Sequence, residues 1–175
     1  MRAAAPAGGS RHTGVMAVYV RRLLGIGKLP EDLHAQVVAE GLLYLADYVA
    51  VTRRFSGVIP GVRLPHSVAY YTGSLALTRQ RILATLSMLP KLAGVTVDAR
   101  WDSAPEGAAI AEISPTGLAV HVDVSRIDEK FSGELSLLYK TEIPADVVSA
   151  LPACSLAFHM SPDCVVRAVG VTYSP

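Results

Sequence analysis

Six basic side chains in the first half of the chain carry the clearest chemical potential. Arg53 and Arg54 stand side by side, followed by Arg63 and His66 and then by Arg79 and Arg81. A guanidinium presents a planar fork of donors that matches the oxygens of phosphates and carboxylates. Together these residues read as a candidate anion site, for a lipid headgroup or another oxyanion. The competing reading makes them solvated strand ends and turns. Trp101, in a loop beside Asp102, is a candidate anchor for a protein partner, because buried aromatics dominate interface energetics. The alternative for Trp101 is a lid on a barrel end, with its indole N–H bonded to a nearby group.

Other chemistry has weaker support. His121, Asp123 and Ser125 alternate along one segment, so they share a face if it is a strand. That arrangement does not by itself place a base against a nucleophile. Cys154, His159 and Cys164 are evenly spaced, whereas a zinc site needs four ligands in tighter pairs. No nucleophile elbow, phosphate-binding loop or dinucleotide fingerprint occurs. The expectation is a chain with no catalytic residues, no metal and no cofactor, hence not an enzyme.

Charge is uneven along the chain. Residues 1–91 hold 11 Lys and Arg against 4 Asp and Glu, and residues 92–175 hold 5 against 11. Such asymmetry gives a dipolar surface if the halves stay apart and cancels if they interleave. The sequence pI is about 7.8 and basic residues do not alternate with aromatics, which argues against nucleic acid. Charged residues form 18% of the chain, below the usual quarter, which tilts towards association with a partner or with itself.

There is no apolar run of roughly 18 residues, so no transmembrane helix is expected. The Ala/Gly-rich start lacks the apolar centre of a secretory signal. Cys154 and Cys164 then read as free thiols. The expected compartment is the cytoplasm, with a peripheral place at the membrane if the basic residues meet lipid.

These groups need elements to hold them. Pro30-Glu31-Asp32 opens a helix and Gly41 stops it. Leu43, Leu45, Val49, Val51 and Phe55 alternate as in a long strand. Gly57, Pro60, Gly61 and Pro65 mark a loop or irregular edge. Strands follow over Ser67–Thr78, Arg81–Met88, Leu92–Asp98 and Ala108–Ile113. Leu118, Val120, Val122 and Val124 alternate with small and polar residues, as do Leu135, Leu137 and Tyr139. Pro144-Ala145-Asp146 opens a short helix that Pro152 closes. The tail from Cys154 carries two β-rich runs around Ser161-Pro162-Asp163. About seven strands and then a helix imply an all-β sandwich or barrel.

The segment Gly73-Ser74-Leu75-Ala76-Leu77-Thr78-Arg79-Gln80-Arg81-Ile82-Leu83 resembles the strand–turn–strand hairpin of bacterial PH-like and GRAM-like domains. The likeness extends over residues 41–151 and departs at the Gly/Pro insertion and at the tail. It implies a seven-stranded PH-like sandwich or barrel closed by the helix at Pro144–Leu151. With the Ala/Gly-rich start and the pattern of the tail, the expected organisation is a disordered extension (1–15), a short helical lead-in (16–41), the PH-like domain (42–151) and a β extension (152–175). It further implies a binding module that recognises a protein or an anionic membrane headgroup. The alternatives are a homo-oligomer built by edge-strand pairing, and an enzyme whose site is assembled from scattered residues.

Overall fold

The computed structural model describes residues 25–87 and 93–170. The extension at 1–15, residues 16–24 of the helical lead-in, residues 88–92 and the last five residues of the tail lie outside them. At the end of that lead-in, residues 25–27 form a turn.

Among the described residues eight antiparallel strands make one sheet: β1 (Leu42–Ile59), β2 (Val62–Thr78), β3 (Arg81–Ser87), β4 (Ala93–Arg100), β5 (Ala109–Ser114), β6 (Gly117–Asp123), β7 (Ser132–Lys140) and β8 (Ser155–Phe158). Their order is β4-β3-β2-β1-β7-β6-β5-β8, so two meanders join where β1 pairs with β7. The helices among the described residues are α1 (Glu31–Ala39), α2 (Ala145–Ala150) and α3 (Pro162–Val169).

The sheet curls until its ends, β4 and β8, approach one another beside α3. The result is nearly a closed barrel. Inward side chains of both meanders fill it, among them Val51, Phe55, Leu75, Ile82, Val97, Leu118, Leu135 and Leu137. Tyr139 is fully buried in this core, and its hydroxyl meets Thr96 Oγ1 at 2.6 Å. Burial pushes the phenol well above its ordinary pKa.

Helix α3 fills the seam. Ser161 caps its first turn and Pro162 occupies its first position, both favourable there. Val165, Val166, Ala168 and Val169 turn into the core. Arg167 Nη1 and Cys164 Sγ both donate to the Val95 carbonyl of β4, at 2.9 and 3.5 Å. Gly170 ends the helix in the left-handed conformation, which glycine adopts without steric cost.

Three expectations change. First, the Gly/Pro stretch is no loop. β1 and β2 run on past it as one hairpin that turns at Pro60-Gly61, and a register irregularity between Phe55 and Gly57 absorbs the misfit. Second, the helix at Pro144 forms but buries none of its residues. Third, the second half of the tail is the closing helix, and only its first run is a strand, the eighth.

α1 lies outside the barrel. Leu29 and Val37 pack on Ala76 and Leu83, which project outwards from β2 and β3. This stretch of the hairpin is therefore covered on both faces, and its residues are almost continuously buried. Arg81 fastens α1 down. It pairs with Glu40 at 2.7 Å and Asp98 at 2.9 Å, and donates to Gln36 Oε1 at 3.2 Å.

Candidate functional site on the outer sheet face

Among the described residues no helix covers the other half of the outer surface, and the strand registers set what it presents. Side chains alternate between faces, so directly paired residues share a face. One row runs Val68, Arg54, Ser136, His121, Ile110 across β2, β1, β7, β6 and β5. A second runs Ser56, Glu134, Asp123, with His66 beside it on the hairpin. Between them the floor is strand backbone at Phe55, Leu135 and Val122, whose side chains point into the core. These rows and Arg126 bound a groove of about 580 Å³, within the usual range for ligand sites.

A third row adjoins the groove: Tyr70, Thr52, Leu138, Ala119, Glu112. Five large apolar residues are strongly exposed among the described residues, and four belong to these rows. They are Tyr70 at 75%, Val68 at 52%, Ile110 at 46% and Leu138 at 37%. The fifth, Val38, sits on α1. Apolar residues gathered on one face mark interaction surfaces more often than single scattered ones do.

The groove carries both signs of charge, with Arg54 and Arg126 against Asp123 and Glu134. Asp123 has a structural task. Its carboxylate accepts from both the backbone N–H and the hydroxyl of Ser125, capping the 3-10 turn at Val124–Arg126. His121 takes no part in that cap, so the three residues form no proton relay.

The six basic residues form no single cluster. Arg54 and His66 line the groove, while Arg63 lies exposed near the hairpin tip, opposite Val58. Arg53 alternates with Arg54 and points inwards, at 4% exposure. Arg79 and Arg81 stand at the far end of β2, about 30 Å from the groove by strand rise. There Arg79 lies over Gly41, and Arg81 is consumed by its ion pairs. Trp101 is half-buried against the core and donates Nε1–H to the Thr78 carbonyl at 3.0 Å. It covers the barrel end, leaving the role of partner anchor without an exposed indole.

No three His, Cys, Asp or Glu side chains among the described residues stand close enough to hold a metal ion. Cys154 is exposed, while Cys164 bonds within α3 and to β4. No helix among the described residues is long and apolar enough to cross a membrane.

Sequence reasoning passed over Ser56, Val68, Tyr70, Arg126, Glu134 and Ser136. Alternation along β6 and β7 signals that His121, Asp123, Glu134 and Ser136 face outwards. Only the pairing of β7 with β1 puts them beside Arg54. Comparison of the chain with protein-family models, curated proteins and solved structures gives no match.

Proposed function

We propose that the protein is a non-catalytic binding module and that its site is the groove with the apolar rows beside it, recognising an extended segment of a protein partner. The observation that carries this reading is the union of four exposed apolar side chains with a groove of mixed charge. Tyr and Arg are the residue types that most often anchor protein interfaces, and Tyr70 and Arg54 are both accessible. Two carboxylates in the same groove oppose an anionic headgroup, so a protein is favoured over a membrane. The antiparallel barrel keeps the likeness to PH-like and GRAM-like domains within this proposal, with α3 in place of their closing helix. A second reading, assembly of identical copies, draws on the same face, because a surface holding both signs can complement itself. Edge pairing is less favoured, since α3 lies at the seam between the two end strands.

Selection of random peptides on the purified protein tests the proposal. Selected peptides should lose about tenfold or more in affinity with Tyr70→Ala and with Arg54→Ala. Val38→Ala, equally apolar and exposed but on α1, should leave them unchanged. Peptides that bind all three variants alike would overturn the site. Sedimentation with anionic vesicles that weakens with salt and disappears in Arg54→Ala would replace the protein reading with the headgroup one.

A further inference from the structure

We propose that the outer groove selects its segment by charge spacing: an acidic residue adjacent to a basic one, with a second basic residue two positions beyond. The inference rests on the reading of the groove as a peptide site and adds the chemistry of the partner. The two walls are unlike. Arg54 stands on one, between Val68 and Ser136, while Glu134 and Asp123 stand on the other. All three charged side chains are exposed, and none enters an ion pair among the described residues. Asp123 accepts from Ser125 through Oδ1 alone, which leaves Oδ2 free for a ligand. Opposite charges held on facing walls without pairing can each take a counter-charge from a segment between them.

The strand registers set the spacing. The walls lie two residues apart along each strand, roughly 7 Å, which admits one extended chain and is too narrow for a helix about 10 Å across. Such a chain runs across the strands, and its successive side chains lean to opposite walls. Neighbouring strands are about 4.8 Å apart, and an extended chain advances about 3.3 Å per residue. From Arg54 on β1, Glu134 on β7 is one strand along the groove and Asp123 on β6 is two. A carboxylate facing Arg54 therefore brings the next side chain, about 3.3 Å on, beside Glu134 at about 4.8 Å. The third side chain after it, about 9.9 Å on, arrives beside Asp123 at about 9.6 Å.

The flanks follow from the same spacing. The side chain two before the acid meets Val68, and the one four after it reaches Ile110, both apolar and exposed. Between them Ser136 and His121 offer hydrogen bonds to a polar residue. Past Asp123 the lining turns positive at Arg126, so the basic pair ends there. The order is apolar, any, acidic, basic, polar, basic, apolar, and a segment running the other way presents it in reverse.

The test measures fluorescence polarisation of labelled synthetic peptides on the purified full chain. The matched peptide is Val-Ser-Glu-Lys-Ser-Lys-Val, made also in reverse order. One control has the same composition with the charges moved apart, Val-Glu-Ser-Ser-Lys-Lys-Val, and the other has them inverted, Val-Ser-Lys-Glu-Ser-Glu-Val. The tighter matched peptide should bind at least about fivefold more strongly than either control. The double variant Arg54→Glu, Glu134→Lys should reverse the preference towards the inverted peptide. Both positions are exposed, so its melting temperature should equal the parent's. Equal affinity for all these peptides, no reversal in the double variant, or no binding of the matched peptides at millimolar concentration overturns the proposal. Random peptides that depend on Tyr70 and Arg54 but lack this charge order overturn the spacing and leave the peptide site standing. Random peptides that depend on neither residue overturn both.

Discussion

Two arginines with little exposed surface stand on opposite faces of the same barrel, and the fold equips them differently. The Arg81 side chain is 12% exposed and meets two carboxylates and an amide, which tie α1, β3 and β4 together. Arg53 is more deeply buried and meets one hydroxyl and one distant carbonyl. Desolvation raises the cost of a charge, so a residue kept only for stability should gain partners as it goes deeper. Here the order is reversed. Arg81 behaves as a structural fastener, whereas Arg53 keeps a buried charge that its own surroundings satisfy only in part.

Substitutions should sharpen that contrast, in descending size of effect. Arg81→Ala leaves Glu40 unpaired in a largely buried place and should cost about 2–3 kcal/mol. Urea unfolding would show it as a lower midpoint at unchanged slope. Arg53→Met should be neutral or stabilising by about 1 kcal/mol, because an apolar chain replaces a poorly compensated charge. A loss as large as that of Arg81→Ala would break the comparison and make Arg53 a fastener too. Asp98→Asn removes the more exposed arm of the Arg81 network and should cost about 0.5 kcal/mol in the same assay. Arg100→Ala breaks an ion pair with Asp102 in which both side chains are more than half exposed. Its thermal midpoint should match the parent's, and a measurable drop would show that surface pairs matter more here than elsewhere.

Much of the architecture was legible in the chain. The alternation of Leu118, Val120 and Val122 with Ala119, His121 and Asp123 marks β6, and the Pro-Glu-Asp start marks α1. The tail reads as two strands because its two runs are similarly apolar. Ser161, Pro162 and Asp163 suit a turn between strands, yet the same three residues are also a helix start, with a capping hydroxyl, proline at the first position and an acid in the first turn. The Gly/Pro stretch after Phe55 reads as a loop for a related reason. Proline and glycine break isolated strands but are tolerated where a hairpin bends or turns. The site was the least legible part. Sequence alternation separates Arg53 from Arg54 by face, but not which of the two is inside. That choice depends on the register with β7, some eighty positions along the chain. The ion pairs of Arg81 likewise join residues from α1, β3 and β4, which no local pattern connects.

The pairing of β1 with β7 has a consequence in time. A ribosome releases β1 and β2 early, so one edge of β1 can zip up at once. Its other edge must wait for β7, which begins roughly 70 residues later, or on the order of 4–14 s at ordinary synthesis rates. During that interval the nascent first meander exposes an unsatisfied row of backbone donors and acceptors beside Val51 and Phe55. Such an edge is a template for pairing with another chain. A second nascent chain on the same message would meet that edge before β7 covers it.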